Sequence, residues 1–280
     1  MTVAVARFDL KDIAGRLIAA HDGATMLPPI TANAPDFSVA DGYAVLHDIE
    51  TRRRAQGWRA LGRKIGFTNR TIWPRYGVYQ PMWAHVWSHT VHFAPDGKAT
   101  LPLHTFVQPR IEPEVVFKLK AAVPPTSDPA AILAATEWIA PGFEIVQSHF
   151  PDWKFTAADC TAAFGLHGAL VVGAPIAVTD ANRDAFAAAL PTFALTLSRG
   201  DAVIDRGVGA NVLDSPALAL THLARLLAEQ PQAPKLAAGE IVTTGTITDA
   251  WPVAAGEVWS SDYGVLGLSG LTLRFDAPAR

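Results

Sequence analysis

The sequence is poor in sulfur, with one cysteine, Cys160, and three methionines among its 280 residues. A single thiol excludes an internal disulfide and any cysteine-built zinc cluster, and a lone cysteine among apolar neighbours reads as a packing residue. Charge is sparse as well. Lys, Arg, Asp and Glu make up 18% of the chain and leave a net charge of -3, so there is no basic excess for a phosphate backbone and no nucleic-acid partner is expected. The densest basic run, Arg52-Arg53-Arg54, falls at the end of an expected helix, where cations face the negative pole of the helix dipole. Long apolar runs are also missing. Ala162 to Val178 comes closest, but Gly165, His167, Gly168, Gly173 and Pro175 interrupt it, and a spanning helix needs roughly 20 apolar residues. No membrane association is expected. Near the start, Arg7, Asp9, Lys11 and Asp12 break any export-signal core, so the expected location is cytoplasmic.

Apolar side chains, by contrast, are abundant: half of the residues are hydrophobic and mean hydropathy is +0.19. That surplus exceeds what most soluble domains carry and points to a subunit interface, hence a homo-oligomer.

Two helices are expected first. Leu10, Ile13, Ala14, Leu17 and Ile18 recur at helical spacing over Leu10 to Ala20 with Gly23 as a stop, and a second helix opens at Asp36 and runs through Tyr43, Leu46 and Ile49 to Gly57. Beyond Gly57 short apolar stretches alternate with Gly and Pro, the texture of a mixed sheet. Strands are expected at Ile111 to Lys120, Gly142 to Gln147, Ala169 to Gly173, Thr192 to Ser198, Ala202 to Asp205, Glu240 to Thr244, Glu257 to Ser260 and Leu271 to Phe275. Helices are expected between them at Asp128 to Trp138, Ala181 to Leu190 and Ser215 to Gln230, the last opened by a Ser-Pro cap. The class is α+β, divided into a helical N-terminal region, 1–90, and a mainly β catalytic domain, 91–280.

Within the strand at Ile111, Glu112 and Glu114 lie two apart and so project from one face, roughly 7 Å from each other. Val115, Val116 and Phe117 imply burial, where like charges repel and a bare carboxylate is costly. Glu144 interrupts a second apolar strand, Gly142-Phe-Glu-Ile-Val146. Three carboxylates without a thiol suit Mg2+ or Mn2+ better than zinc. The alternative is an edge strand whose glutamates face solvent, since Pro113 cannot donate to a ladder.

Lys64, between Gly62 and Gly66, is either a partly desolvated lysine of lowered pKa or a surface lysine beside a turn. His85, His89, His92 and His104 cluster among aromatic residues and read as structural. The turn Thr243-Thr-Gly-Thr246 offers hydroxyl and amide groups for a carboxylate, as many idle turns also do.

With these residues in view, the chain resembles the 2-oxopent-4-enoate hydratase and 4-oxalocrotonate decarboxylase group of the fumarylacetoacetate hydrolase superfamily. The likeness runs along nearly the whole chain. It rests on Gly-Arg-Lys-Ile-Gly at Gly62 to Gly66, Glu-x-Glu at Glu112 and Glu114, Phe-Glu-Ile-Val at Phe143 to Val146, Asp-Trp-Lys at Asp152 to Lys154, and Thr-Gly-Thr at Thr244 to Thr246. The resemblance implies a helical region packed on a mixed β-roll, Mg2+ or Mn2+ on Glu112, Glu114 and Glu144, and Lys64 as the active-site lysine. Lys154, Thr244, Gly245 and Thr246 are then expected to bind a small 2-oxo acid, in a homo-oligomer that can associate with a pathway enzyme of aromatic catabolism. Two departures from the group's pattern stand out. Gln80-Pro81 is followed by Met82 and Trp83 where an acid is usual, and Ala163-Phe-Gly-Leu-His167 replaces a polar stretch. These changes make Met82, Trp83 and Phe164 expected members of an apolar pocket and His167 a titratable, catalytic candidate. The expected reaction is hydration of a 2-hydroxydienoate or 2-oxo-enoate with an apolar tail. Decarboxylation of a 2-oxo-enedioate ranks lower, because the altered loops supply no cation for a distal carboxylate; C–C hydrolysis of a 1,3-diketo acid and a non-catalytic partner subunit complete the alternatives.

Overall fold

The computed structural model describes residues 8–124 and 126–276. Its helices are α1 (Leu10–Asp22), α2 (Ile30–Asn33), α3 (Val39–Ala55), α4 (Trp73–Tyr76), α5 (Pro129–Ala134), α6 (Ala157–Ala162), α7 (Arg183–Ala189) and α8 (Pro216–Ala228). The strands are β1 (Ala60–Gly66), β2 (Met82–Trp87), β3 (Val91–Phe93), β4 (Lys98–Pro102), β5 (Arg110–Leu119), β6 (Thr136–Val146) and β7 (His167–Val172), followed by β8 (Ile176–Ala177), β9 (Ala194–Arg199), β10 (Ala202–Val208), β11 (Ile241–Thr243), β12 (Trp251–Pro252), β13 (Val258–Asp262) and β14 (Thr272–Asp276).

Local chemistry sets the helix ends. Asp9 caps α1 through the Asp12 amide, and Gly23 closes it as expected. At α3 the start is Ser38, not Asp36, because Ser38 and Asp41 exchange hydrogen bonds in a capping box. Ser215 and Pro216 open α8 as the sequence indicated. The helix expected to reach Trp138 stops at Ala134. From Thr136 onward, β-branched and aromatic residues pair with β5 instead, Trp138 opposite Lys118 and Ile139 opposite Phe117, so tertiary pairing overrides the local period. The expected helical region, 1–90, also holds two strands of the sheet, Ala60–Gly66 and Met82–Trp87, with the short helix α4 between them.

Nine strands form one mixed sheet in the order β2-β1-β11-β5-β6-β7-β3, with β12 beside β5 and β8 beside β6; β10-β9-β13-β14-β4 form a second. This is the mixed β-roll. Alternation then sorts each strand of the large sheet between two faces. Ile111, Val115 and Phe117 of β5, Ile139, Phe143 and Ile145 of β6, Val242 of β11 and Trp83 of β2 enter the main core with Leu197, Trp259, Leu273 and Phe275 of the second sheet and Leu220 and Leu223 of α8. Even-numbered residues of β5 and β6 face the other way. There Val116, Ala140, Leu170 and Ile241 build a small apolar cluster at one end, and the carboxylates occupy the other. A separate core joins Ala14, Leu17, Val45 and Ile49 of α1 and α3 to Phe150, Ala158, Ala162 and Phe164, seating the N-terminal helices on the segment that roofs this second face. Arg53, almost wholly buried, fastens the helices by bonding Asp22 and Gln56 while lying over the Trp58 ring. Among the described residues no helix is long and apolar enough to cross a membrane.

Candidate active site

Antiparallel pairing of β5 with β6 places Glu112 directly opposite Glu144, and Glu114 follows two residues along on the same face. One ligand oxygen from each lies within 4.8 Å of the others. β5 is an interior strand, contrary to the edge-strand alternative, and the structure explains how Pro113 fits there. β11 pairs with β5 only as far as Val116, and β12 begins at Ile111. In the gap between them runs the loop after Thr243, whose Ile247 amide donates to the Pro113 carbonyl at 3.0 Å. In an antiparallel strand the N–H and C=O of one residue point to the same side, so the amide that proline lacks would have faced this loop and no bond to β6 is lost.

Glu114 is held by donors on one oxygen alone. The Thr243 hydroxyl and the Gly245 amide, the latter at 2.7 Å, both bond its Oε2, and its buried Oε1 has no hydrogen-bond partner. Gly245 is required here: its φ is +103° and a Cβ would meet the Thr68 hydroxyl at 1.9 Å. Glu144 takes a hydrogen bond from His167 Nδ1 at 2.8 Å on Oε1, while its Oε2 lies 3.0 Å from Lys64 Nζ. Lys64 Nζ also donates to the Gly165 carbonyl at 3.1 Å.

Burial pushes the Glu112 carboxyl up to about 7, with Glu144 adding to the rise and Lys64 opposing it. Burial and then the charges of Glu144 and Glu112 lift Glu114 well above the carboxylate range. Burial works against a charge on Glu144 as well, but Lys64 and the His167 hydrogen bond outweigh it and hold Glu144 below its ordinary value. Lys64 does not show the lowered pKa expected from desolvation. Burial does disfavour its ammonium, yet Glu144, Glu112 and Glu114 together raise it. One lysine therefore neutralises one carboxylate of three, and a divalent cation is what the remaining pair and the unpartnered Glu114 oxygen fit. Hard oxygen donors select Mg2+ or Mn2+.

Beside this cluster lies a cavity of about 250 Å³, with Lys64, Glu112, Gly245 and Thr246 in its wall. Of the other residues singled out in the sequence, Met82 also lines it. Trp83 does not. Successive strand residues face opposite sides, so Met82 takes the cavity side and Trp83 enters the main core, its indole bonded to Gln230. Phe164 packs against His21 in the helical core, with centroids 4.5 Å apart, and leaves its neighbours Gly165 and Leu166 at the cavity. His167 is buried behind Glu144, between that carboxylate and the Thr90 hydroxyl, and does not line the cavity. Thr244 turns inward and bonds the Val115 carbonyl. Lys154 is 82% exposed and pairs with Asp152. Cys160 lines the cavity as a thiol that burial pushes up to about 12, which keeps it inert. His85 is buried beside Glu50, a structural position in accord with the sequence reading. Sequence reasoning missed Arg110, which shares a strand face with Glu112 and lines the cavity.

Buried carboxylates, a buried ammonium and the cavity beside them define the class: an enzyme whose centre can hold a divalent cation. The chain belongs to the hydratase and decarboxylase family of the fumarylacetoacetate hydrolase superfamily. It is 31% identical over 261 residues to 2-hydroxyhexa-2,4-dienoate hydratase of Comamonas testosteroni, covering 93% of this chain and 95% of the relative. It is 30% identical over 251 residues to 4-oxalocrotonate decarboxylase of Pseudomonas sp. strain CF600, covering 89% and 90%. Among solved structures, 4-oxalocrotonate decarboxylase from Pseudomonas putida G7, complexed with magnesium and adipate, aligns with a TM-score of 0.87 at 25% identity over 97% of this chain and 99% of that one. Fumarylpyruvate hydrolase from Pseudomonas aeruginosa shares the fold more distantly, with a TM-score of 0.57 at 14% identity over 78% and 89% of the two chains. No protein-family model matches the chain.

Proposed function

We propose that the protein is a metal-dependent hydro-lyase that hydrates a 2-hydroxydienoate or its 2-oxo-enoate tautomer. The observation that carries this reading is the carboxylate cluster, Glu112, Glu114 and Glu144, set beside Lys64 at the cavity wall. When bound, Mg2+ or Mn2+ would supply the positive charge that makes an enolate oxygen affordable in an apolar site. Lys64, held as ammonium by Glu144, is placed to give a proton as the enol becomes the keto form and to take one back afterwards. His167 fixes the Glu144 carboxylate, and Thr243 with Gly245 fixes that of Glu114. Phe67, Met82, Phe155 and Leu166 keep bulk water from the tail of the substrate, which supports an apolar tail.

Decarboxylation of a 2-oxo-enedioate is the second reading, and Arg110 favours it. A cation for a distal carboxylate does reach the cavity, from strand β5 and not from the altered loops. Incubating the purified protein with Mg2+ and a panel of 2-hydroxydienoates and 2-oxo-enedioates separates the two. Loss of conjugated absorbance without CO2 supports hydration; release of CO2 supports decarboxylation; neither, across the panel, overturns both. We also read the protein as a cytoplasmic homo-oligomer in aromatic catabolism, which light scattering tests in part: a monomer at all concentrations removes the oligomer.

A further inference from the structure

We propose that Arg110, set over the Trp153 ring, is a carboxylate-binding residue of this cavity, and that the Asp152-Trp153 turn holds it there. This inference rests on the 2-oxo acid reading and extends it to a residue that none of the motifs above assigns to substrate.

Only two cationic side chains line the cavity among the described residues, Lys64 and Arg110. Lys64 is engaged with Glu144 and the Gly165 carbonyl. Arg110 stands two residues before Glu112, so strand alternation sends it to the face that carries the carboxylates, nearer the mouth. Its guanidinium carbon lies 4.1 Å from the centroid of the Trp153 ring. A guanidinium so placed is held by cation–π attraction, and its N–H donors form the planar fork that suits a carboxylate.

The platform itself is held against a backbone cost. Asp152 and Trp153 are consecutive non-glycine residues at φ of 56° and 58°, and Gln108, which clamps them, has φ of 48°. Gln108 accepts from the Asp152 amide at 3.0 Å through its side chain and from the Trp153 indole at 3.0 Å through its carbonyl. Its side-chain amide donates to the Ser148 and Phe150 carbonyls at 2.8 and 2.9 Å. Left-handed conformations at such residues are unfavourable and persist where the surroundings enforce them, most often at functional sites. Of the Asp-Trp-Lys motif Trp153 lines the cavity, while Asp152 and Lys154 are exposed and pair with each other.

Calorimetry with the intact, Mg2+-loaded protein tests the assignment with 2-oxopentanoate, which has one carboxylate, and 2-oxoadipate, which has two. Arg110→Gln should weaken 2-oxoadipate binding by about tenfold to a hundredfold, the loss of a charge-assisted hydrogen bond. An equal loss for 2-oxopentanoate assigns Arg110 to the carboxylate beside the keto group; a loss confined to 2-oxoadipate assigns it to the distal one. Trp153→Leu should weaken binding less, and its effect should vanish in the Arg110→Gln background, because Trp153 acts through Arg110. Mn2+ affinity without any acid should stay unchanged in both variants. Unaltered affinity of Arg110→Gln for both acids, additive effects of the two substitutions, or a fall in Mn2+ affinity matching the fall in acid affinity each overturns the proposal. If the wild-type protein binds neither acid with Mg2+ present, it is the 2-oxo acid reading that fails, visibly and separately.

Discussion

The cavity has two walls made by different means. On the sheet side Lys64, Arg110 and Glu112 line the cavity with Glu114 and Glu144 beside them, and all five owe their direction to strand alternation and register. On the loop wall, direction comes from left-handed residues: Phe67, Trp153 and Leu166 line the cavity with positive φ, and Gln108, Asp152 and Phe164 beside them share it. Chemistry placed on strands is fixed by the fold, whereas the surface that meets the substrate tail is fixed by turns that can change one residue at a time.

The sharpest way to break this division is at Lys64 on the sheet wall. Lys64→Met should lower kcat by about 10² to 10⁴, the usual worth of a general acid–base group, with Mn2+ affinity preserved because Lys64 is not a ligand. Lys64→Arg should fail nearly as badly, since the larger planar guanidinium cannot put a proton where the buried ammonium stands between Glu144 and the Gly165 carbonyl. Near wild-type kcat in Lys64→Arg would reduce the residue to an electrostatic anchor.

Next come the carboxylates and their supports. Glu114→Gln should abolish measurable Mn2+ binding in a titration that the wild type saturates, and His167→Ala should weaken it by about 10- to 100-fold, as loss of a group orienting a ligand does. Equal Mn2+ affinity in wild type and Glu114→Gln would remove Glu114 from the centre.

A subtler effect is on stability. Glu112 and Glu114 have folded pKa values raised above the ordinary 4.5, to about 7 for Glu112. For a group raised on folding, stability is fully present below the unfolded value and is lost as pH rises through the folded one. Glu144, held low, makes the opposite contribution, gaining as pH rises and confined to the acid side. Metal-free protein should therefore lose Tm between about pH 5 and 8, and the Tm gained on adding Mg2+ should grow over the same window. A Mg2+ effect that is flat in pH would contradict the burial argument.

Smallest of all should be the effects of residues outside the charged centre. Met82→Ala should shift preference between short- and long-tailed acids by about 10-fold, the lower end of what one methylene is worth in an apolar pocket. Lys154→Ala should leave kcat/KM within about twofold, because exposed, solvent-screened pairs contribute little. A Lys154→Ala variant as impaired as Lys64→Met would reverse this ranking.

The same division accounts for what the sequence disclosed. Glu112, Glu114 and Glu144 stood out as carboxylates inside apolar, period-2 segments, with an edge strand as the alternative for the first two, while the glycine frame of Lys64 fitted a surface turn equally and only the family resemblance singled it out. The capped helices were legible for equally local reasons. Trp83 and Phe164 were misplaced because reading them as pocket residues ignored alternation in the first case and a left-handed turn in the second. His167 was recognised as titratable, but only the pairing of β6 with β7 reveals that it stands behind Glu144. Arg110 was overlooked because the search for a second cation looked to the loops, while the strand pattern that singled out Glu112 and Glu114 applied equally to position 110.

The opposition of Glu112 and Glu144 across the β5–β6 ladder has one more consequence. Side chains alternate along a strand, so a slip of one residue between these strands would carry Glu144 to the opposite face and leave Glu112 and Glu114 opposite Phe143 and either Pro141 or Ile145. Such a slipped sheet offers no tripod to an ion. A cation that binds only the correct pairing favours it by mass action, so the centre acts as a proofreader of the fold: refolding in Mg2+ should recover a larger share of correctly registered protein than refolding in a chelator.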